Sequence, residues 1–376
     1  MELSRVMHHP IISLSRRLRQ TPYTNRVAAS GVKGYTVYNH MLLPTFFRSV
    51  EEDYHHLKSA VQVWDVACER QVQVRGPDAA RLVQILTPRD ISSMSDDRCI
   101  YIPIVDFDGG MINDSVALKV EDERYWLSIA DSDVLLWVAG LAHGMGLDAQ
   151  ICEPDVSPLA VQGPKSDTLM ERVFGPKIHD IGFFRFKRLA FGGTNFLVSR
   201  SGYSKQGGFE IYVEGEPWGV AVWDALFEGG KDLDVFAGCP NLIERIEGGL
   251  LSYGNDMTRK NSPFECGLGR FFYPGLNMDC IGGEALRKEA ERGVSQIIRY
   301  LSIEGPDVPP CIKPWPVLLN GTKVGQVTSA AHSPDFKTNV AIGMIASDHC
   351  SEGTRLSVKT PTGLFDLEVH ENPFLL

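Results

Sequence analysis

One segment of this chain occurs twice, and that repetition constrains the fold more than any other feature of the sequence. Residues 72–77 are Val-Gln-Val-Arg-Gly-Pro and residues 159–164 are Leu-Ala-Val-Gln-Gly-Pro. In both places an extended apolar stretch runs into a Gly-Pro pair and then into apolar residues at helical spacing, which suits a turn in which proline opens a helix. The repetition predicts two duplicated α+β half-domains that face one another, although Gly-Pro turns are common enough for coincidence.

The rest of the chain divides into a connecting helix and a region of short strands. A chain of 376 residues is too long for a single small core. We predict an α+β region over residues 1–283, which contains both half-domains, and a second domain over residues 284–376. The second domain begins with a helix around residues 284–292, and its short strands, separated by glycine and proline, are typical of a small all-β barrel or sandwich.

Composition and charge exclude several classes of protein. The formal net charge is -10, and an acidic chain lacks the basic footprint that would make nucleic acid its main partner. No apolar run approaches the ~18 residues that a membrane span needs. The ten histidines form no metal-ligand spacing beyond adjacent pairs, so we predict no metal site. The sequence leaves the oligomeric state open, and a homo-oligomer is one alternative.

The eight cysteines contain no C-x-x-C pair, and their spacing matches no zinc or disulfide framework. We therefore expect free thiols in a reducing cytoplasm. The N-terminus contains arginines and serines and could pass for a transit peptide. Glu2 and the lack of an apolar stretch argue against such targeting.

Asp114 lies on a predicted strand that follows the Gly-Gly turn at residues 109–110. Alternation along the strand places its carboxylate on the same face as Ile112, Val116 and Leu118. A carboxylate on an apolar face is costly unless it is hydrogen-bonded or paired. Asp114 is therefore either a structural residue that accepts bonds from neighbouring amides, or an acid that faces a ligand.

A second strand follows the Gly-Gly pair at residues 207–208 and carries Glu210 and Tyr212 on one face. The apolar residues Phe209 and Ile211 lie on the other face. A carboxylate beside a phenol suits a planar ligand that has amino and imino donors. An ordinary solvated face would have the same pattern, so both interpretations stay open.

Residues 243–257 are predicted to begin as a short amphipathic helix. The helix ends at Gly248, and the remaining residues form a polar loop. Arg245 lies on this helix and could present its guanidinium group to an anionic ligand. A surface ion pair with a nearby glutamate is the alternative, and the residues alone do not choose between the two.

These segments together resemble the folate-binding glycine-cleavage T-protein (aminomethyltransferase) family. The matching segments keep one order along nearly the whole chain: residues 63–66, 73–79, 109–114, 208–211, 245–250, 253–257, 265–269, 324–329, 333–334 and 342–344. The resemblance implies an α+β fold in which two ferredoxin-like lobes and a C-terminal β-barrel form a cloverleaf around a central folate channel.

Within that family the chain is most similar to the dimethylsulfoniopropionate demethylases. The segments that carry this similarity are residues 15–22, 35–44, 201–208 and 237–241. The similarity implies a tetrahydrofolate-dependent transferase of one-carbon and sulfur metabolism. A methyl group would pass directly from the sulfonium to N5 of tetrahydrofolate, giving 5-methyltetrahydrofolate and 3-methylthiopropionate, and alignment of the reacting groups would supply most of the acceleration.

Three places depart from the patterns of these relatives. Residues 129–133 stand where the glycine-cleavage enzymes have an Asn-Ala/Ser-containing turn, and Arg270 stands where they have tryptophan. Both changes lie near the expected substrate channel and argue against an aminomethyl-lipoyl substrate. Tyr203 stands where the demethylases usually have tryptophan, and it keeps a ring that can stack. An aminomethyltransferase or amine demethylase giving 5,10-methylenetetrahydrofolate is the second hypothesis, and a non-catalytic folate-binding module is the third.

The resemblance also implies which residues form the site. Asp114 is expected to be catalytic, by orienting the pterin and favouring the reactive form of N5. Tetrahydrofolate, the methyl acceptor, is expected to contact Tyr101, Asp114, Tyr203, Glu210 and Arg245. The sulfonium substrate is expected to contact the aromatic faces of Tyr212 and Tyr38 through cation–π attraction, and Lys205 is expected to bind its carboxylate.

Overall fold

The computed structural model describes residue 12, residues 15–277 and residues 279–374, so the beginning of the N-terminal segment considered above for targeting lies outside the described residues. The α-helices are α1 (Thr24–Ala29), α2 (Val50–Ser59), α3 (Ala79–Leu86), α4 (Val134–Gly144), α5 (Ser166–Phe174), α6 (Glu216–Gly229), α7 (Leu242–Glu247) and α8 (Gly283–Arg292). Short 3-10 turns occupy Pro176–Asp180, Leu268–Phe271 and Ser347–His349.

The first thirteen strands precede α7. They are β1 (Gly34–Tyr38), β2 (Met41–Phe46), β3 (Val61–Asp65), β4 (Gln71–Arg75), β5 (Cys99–Val105), β6 (Met111–Glu121), β7 (Arg124–Ser128), β8 (Gln150–Cys152), β9 (Val156–Gln162), β10 (Phe186–Phe191), β11 (Thr194–Ser199), β12 (Gly208–Glu214) and β13 (Val235–Gly238). The last six follow α8: β14 (Gln296–Ile303), β15 (Trp315–Leu319), β16 (Thr322–Ser333), β17 (Thr338–Ala346), β18 (Arg355–Thr360) and β19 (Gly363–His370).

Two sheets form the two lobes. The first lobe is an antiparallel five-stranded sheet of order β5-β6-β7-β4-β8. The second is a six-stranded sheet of order β10-β11-β12-β9-β3-β13, in which only the β3–β13 pair is parallel. Helices α3 and α4 contribute to the core of the first lobe, and α5 and α6 to that of the second.

The repeated segments occupy matching places in these two sheets, as predicted. β4 leads through Gly76 into α3, and β9 leads through Gly163 into α5. Both glycines have positive φ, at 137° and 120°, and a Cβ at either would lie 2.5–2.6 Å from a backbone carbonyl oxygen, so only glycine fits. The prediction for the prolines was wrong in detail, because each helix begins two residues after its proline.

The lobes are interleaved along the chain. β3 precedes every strand of the first lobe, yet it lies between β9 and β13 in the sheet of the second lobe. The chain therefore starts in the second lobe, builds the first and returns. This crossing brings the residues that follow β3 to the junction of the two sheets.

The two sheets meet through apolar side chains on their facing sides. This cluster comprises Cys99, Leu118 and Trp126 from the first lobe and Phe186, Leu197 and Tyr212 from the second. At its edge the N–H of Cys99 donates to the carbonyl of Phe184 at 3.0 Å. The cluster forms one wall between the lobes, and the strand face that bears Asp114 points toward it.

The C-terminal strands form a closed barrel of order β14-β17-β16-β15-β18-β19, so of the two predicted alternatives the barrel is the one observed. Helix α8 connects it to the lobes and begins at Gly283. Helix α7 packs on strands β16 and β17 through a cluster that includes Ile243, Ile246 and Ile342.

Three further observations concern the predicted exclusions. No helix among the described residues is long and apolar enough to cross a membrane. All eight cysteines are free thiols. Within the described part of the chain, no group of three or more histidine, cysteine, aspartate and glutamate side chains could hold a metal ion.

Candidate active site

Asp114 lies within β6, and only one of its two carboxylate oxygens accepts a hydrogen bond. The Tyr101 hydroxyl on the neighbouring strand β5 donates to Asp114 Oδ2 at 2.8 Å. The other oxygen, Oδ1, is buried and has no hydrogen-bond partner among the described residues, although the residue as a whole is only half-buried. Burial raises the pKa of Asp114 to about 7, against the lowering effect of the Tyr101 bond. A buried acceptor without a hydrogen-bond partner destabilises the folded state unless a group of a ligand donates a hydrogen bond to it.

The surroundings of Asp114 are apolar, which explains the desolvation. Met111, Met257 and Leu268 form a buried cluster against which Tyr101 packs. The Tyr101 ring also meets the Phe271 ring edge-on, with centroids 5.5 Å apart. The predicted shared face is confirmed for Val116 and Leu118, which belong to the cluster between the lobes. It was wrong for Ile112, which packs against the core of the first lobe because the register of β5 and β6 shifts there.

Glu210 lies on β12 and faces the same junction from the second lobe. The Ser201 hydroxyl donates to Glu210 Oε2, and Ser199 and Ser201 share a further hydrogen bond. Burial raises the pKa of Glu210, while the bond from Ser201 opposes the rise. The solvated-face interpretation is wrong, because Tyr212, two residues along the same face, is only 1% exposed.

Tyr212 has a covered ring and an unpartnered hydroxyl. Its ring packs in the cluster between the lobes, 6.0 Å from the Trp126 ring. Its hydroxyl is buried and makes no hydrogen bond of good geometry among the described residues, although the Glu210 carboxylate and the Ser199 hydroxyl lie near it. Burial, and next the Glu210 carboxylate, raise the pKa of Tyr212. The structure therefore offers a ligand the hydroxyl of Tyr212 and not an open ring face, which corrects the expected cation–π contact at this residue.

Glu69 is a site residue that the sequence reasoning missed. It follows β3 in a tight turn, where its N–H donates to the carbonyl of Val66 at 2.9 Å. Burial and then the Glu210 and Asp114 carboxylates raise its pKa. The three carboxylates therefore lie near one another. The signal available in the sequence was a glutamate three residues after the matched segment of residues 63–66, but only the interleaving of the lobes gives that position meaning.

Tyr38 reaches the same region from the tip of the β1–β2 hairpin. Burial, followed by the charges of Glu69 and Asp114, raises its pKa. The neighbouring Asn39 fixes the tip, since its N–H donates to Asp131 Oδ1 at 2.8 Å and its amide donates to the carbonyl of Cys68 at 2.9 Å. Asp131, within the segment 129–133 that departs from the glycine-cleavage enzymes, thus holds the hairpin in place.

Tyr203 lies beside these groups and is held by its hydroxyl. The hydroxyl donates to the carbonyl oxygens of Leu250 and Leu251, at 3.0 and 2.8 Å. Its ring packs against a buried cluster that includes Trp64. Burial raises its pKa, and the Arg245 charge opposes the rise. Tyr203 is therefore a fixed aromatic wall at the junction.

Arg245 is engaged in a buried network and not in a surface ion pair. Its Nη1 donates to Asp256 Oδ2 at 2.9 Å, and its Nη2 donates to Ser329 Oγ at 2.6 Å. The Asp256 side chain is fully buried, and its Oδ1 accepts from Thr328 and Ser329 of the barrel. The predicted amphipathic helix is likewise wrong, because residues 243–247 of α7 are all buried. The guanidinium group joins the lobes to the barrel.

Lys205 does not join the cluster in this structure. The residue is exposed, and the stem of its side chain lies over Gly248. Its backbone N–H, not its amine, is anchored, donating to Glu244 Oε1 at 2.6 Å. The structure brings together the predicted residues Tyr38, Tyr101, Asp114, Tyr203, Glu210 and Tyr212. Lys205 lies outside them.

A separate cavity of about 510 Å³ lies between residues 15–24 and the outer side of the hairpin. Tyr35, Leu42 and Asp65 line it, together with residues of that segment. The Asp65 carboxylate accepts a hydrogen bond from the Thr21 hydroxyl at 2.6 Å. None of the expected site residues lines this cavity, so its size is no argument for placing the chemistry there.

Two family models match the chain. The GCVT N-terminal domain matches residues 23–273, and the glycine cleavage T-protein C-terminal barrel domain matches residues 299–375. The protein therefore belongs to the glycine-cleavage T-protein family.

Individual relatives divide into two kinds. The dimethylsulfoniopropionate demethylase DmdA of Ruegeria pomeroyi is 58% identical over 95% of this chain and 97% of its own length. An aminomethyltransferase of Caldanaerobacter subterraneus subsp. tengcongensis is 28% identical over 84% of this chain and 85% of its own length. The similarity to the demethylases expected from the sequence is therefore confirmed.

The fold has a solved counterpart. The crystal structure of the glycine cleavage system aminomethyltransferase T from Bartonella henselae matches with a TM-score of 0.85 and 21% identity, over 95% of this chain and 98% of that one. This likeness confirms the predicted fold class and concerns the fold alone.

Proposed function

We propose that the protein transfers a methyl group from dimethylsulfoniopropionate to tetrahydrofolate, giving 3-methylthiopropionate and 5-methyltetrahydrofolate. The observation that carries this proposal is 58% identity over 95% of the chain to a demethylase of that name, against 28% to an aminomethyltransferase. We place the reaction in the cytoplasm, because eight free thiols suit a reducing compartment.

The site suits a folate because it has carboxylate oxygens that can accept hydrogen bonds from the pterin ring. A pterin ring presents amino and imino donors along one edge. Asp114 Oδ1 is a buried acceptor without a described partner, and the Glu210 carboxylate faces the same junction. When bound, tetrahydrofolate supplies the nucleophilic nitrogen N5. We assign Asp114, Glu210 and Tyr101 to the pterin, with Tyr203 as a stacking wall.

The contribution of the protein is positioning. Asp114 is held by the Tyr101 hydroxyl, and Glu210 is held by Ser201, so both carboxylates have fixed orientations before a ligand arrives. The apolar cluster between the lobes excludes water from the junction. Fixed acceptors in a site of low dielectric supply orientation without reorganisation during the reaction. Arg245 stabilises this arrangement without contacting the ligand, because its hydrogen bond to Ser329 joins α7 to the barrel.

Isotope labelling tests the proposal against the aminomethyltransferase alternative. The protein is incubated with tetrahydrofolate and dimethylsulfoniopropionate that carries deuterated methyl groups, and the folates are examined by mass spectrometry. Demethylation moves an intact methyl group without oxidation, so 5-methyltetrahydrofolate should gain three deuterium atoms. Labelled 5,10-methylenetetrahydrofolate would move the assignment to the amine-linked reactions. Folate binding without any product would favour a binding module.

A further inference from the structure

The β1–β2 hairpin depends on residues outside its own strands for its position. It forms a two-stranded sheet that joins neither lobe nor the barrel. Such an isolated pair of strands is marginally stable unless other elements hold it. Asn39 and His40 form its turn, and both have positive φ, at 47° and 64°, as a two-residue type I′ hairpin turn requires. The groups that bond to this turn therefore determine where the tip of the hairpin lies.

The turn is hydrogen-bonded to two loops. The N–H of Asn39 donates to Asp131 Oδ1 at 2.8 Å. The side-chain amide of Asn39 donates to the carbonyl oxygens of Cys68 and Ala130, at 2.9 and 3.1 Å. Asn39 is only 4% exposed, so the turn is buried between these partners. Cys68 lies in the loop after β3, and Ala130 and Asp131 lie in the loop after β7, so Asn39 joins the hairpin to both loops.

The loop after β7 is in turn fixed on the strand that carries Asp114. The Asn113 side chain accepts from the N–H of Ala130 at 3.0 Å and donates to the carbonyl of Ala130 at 3.1 Å. It also donates to Ser132 Oγ at 2.8 Å. The carbonyl of Ala130 thus accepts from the amides of both Asn39 and Asn113. Because Asn113 directly precedes Asp114 on β6, hydrogen bonds connect the hairpin turn to the residue beside the catalytic carboxylate.

Tyr38 is the aromatic residue that directly precedes this turn. In the register of the hairpin Tyr38 pairs with Met41, and the side chains of paired residues lie on the same face of a sheet. Met41 is 5% exposed, so this face is directed into the protein, whereas Val37 on the opposite face is 46% exposed. Tyr38 itself is half-buried. The position of its ring therefore follows the position of the turn, which Asp131 holds by the N–H of Asn39.

We propose that Tyr38 forms a wall on the methyl-donor side of the site and that Asp131 is the positioning residue that keeps this wall in place. This inference rests on the proposed function. The two candidate reactions share tetrahydrofolate and differ in the one-carbon donor. Residues 35–44 carry the similarity to the demethylases, and residues 129–133 depart from the glycine-cleavage enzymes. The bond between Asn39 and Asp131 joins these two segments, so we assign it to the donor and not to the folate.

Steady-state kinetics with three single variants tests this assignment. Asp131→Ala removes the acceptor of the Asn39 N–H and should raise KM for dimethylsulfoniopropionate by about tenfold, the effect of losing one hydrogen bond to a charged group. Because the wall already contacts the bound donor, kcat should fall by less than about threefold. Asp131→Asn keeps an acceptor oxygen and should recover most of the loss. Asp133→Ala is the matched control, since Asp133 is exposed in the same loop and its side chain makes no capping hydrogen bond.

A double-mutant cycle shows whether Asp131 acts through Tyr38. In a Tyr38→Ala background, Asp131→Ala should change KM for the donor by less than about twofold, because the ring that Asp131 positions is absent. Hydrogen exchange of the unliganded proteins gives a measure that is independent of activity. Amides of residues 34–43 should exchange faster in Asp131→Ala than in the parent or in Asp133→Ala, while the midpoint of urea unfolding stays the same.

Several results would overturn the positioning role. Equal rises of KM in Asp131→Ala and Asp131→Asn would show that the charge of Asp131 matters and the hydrogen bond does not. An unchanged KM, additive effects in the cycle, or a loss of tetrahydrofolate affinity as large as the rise in donor KM would also contradict it. A parent protein that does not demethylate dimethylsulfoniopropionate would contradict the proposed function itself, whereas an active parent with an indifferent Asp131→Ala variant would contradict only the role of Asp131.

Discussion

Replacing Asp114 by asparagine should make the protein more stable above neutral pH while it abolishes most of its activity. The folded-state pKa of Asp114 is raised from 3.8 to about 7 by burial. The folded protein therefore holds a proton that the unfolded chain has already released between about pH 4 and pH 7. The contribution of Asp114 to stability is consequently greatest below about pH 4 and is lost as the pH rises through about 7.

The magnitude follows from the two pKa values. At ~1.4 kcal/mol per pH unit of displacement, the raised pKa of Asp114 disfavours the folded state by about 4 kcal/mol at pH 8 and by about 1.7 kcal/mol at pH 5. The asparagine of the variant does not titrate, and effects of its amide that are independent of pH cancel between the two conditions. The free energy of unfolding of Asp114→Asn, minus that of the parent, should therefore increase by about 2.5 kcal/mol from pH 5 to pH 8.

Urea unfolding of the unliganded proteins, followed by tryptophan fluorescence at several pH values, measures this difference. Asp366→Asn removes an exposed carboxylate from β19 and should follow the parent at every pH. Turnover of Asp114→Asn should fall by about 100-fold, because a misplacement of ~1 Å between reacting groups can cost that much. A stability difference that stays constant within ~0.5 kcal/mol over this range would refute the burial argument. Parental turnover in the folded variant would refute the role of Asp114 in the reaction.

Three further outcomes follow from contacts of single residues. Tyr212→Phe removes a buried, unpartnered hydroxyl and should raise the free energy of unfolding by about 1 kcal/mol in urea titrations while kcat/KM falls, whereas Tyr273→Phe, at an exposed ring, should change neither. Lower stability of Tyr212→Phe would show that the hydroxyl has a partner. Glu210→Gln should weaken tetrahydrofolate binding in calorimetry by ~1.5–3 kcal/mol, and unchanged affinity would remove Glu210 from the pterin site. Arg245→Leu leaves Asp256 charged and unpaired and should lower stability by about 3–5 kcal/mol, and a loss no larger than that of the exposed Arg355→Leu would contradict the network.

Local patterns in the sequence predicted the local features of this fold. The two Gly-Pro turns were visible because strand, turn and helix are adjacent in sequence, and each glycine closes against a backbone carbonyl. The shared face of Glu210 and Tyr212 was visible because strand alternation has a period of two. Both side chains face a buried junction because the other lobe covers them. Alternation along one strand gives no information about that lobe.

Long-range partners account for what the sequence did not predict. Arg245 was expected either at a ligand or in a surface pair, and its partners are Asp256 in the following loop and Ser329 in the barrel. The position of Glu69 depends on β3 crossing into the sheet of the second lobe. Local patterning cannot report either relation, because each is fixed by elements that are distant in sequence.

The charged groups near the junction are of two kinds: an ion pair that has a structural role, and carboxylates without a cationic partner that we assign to the site. Arg245 and Asp256 are paired with each other, and both oxygens of Asp256 and both terminal nitrogens of Arg245 have hydrogen-bond partners without a ligand. Asp114, Glu210 and Glu69 are half-buried carboxylates whose pKa values are raised by burial, so ionising them costs free energy, and no described lysine or arginine forms an ion pair with them. An arrangement with such a cost is expected where a ligand completes it. Pterin donors would satisfy the acceptors of Asp114 and Glu210, so the unliganded protein should have its least satisfied hydrogen-bonding groups where the reaction takes place.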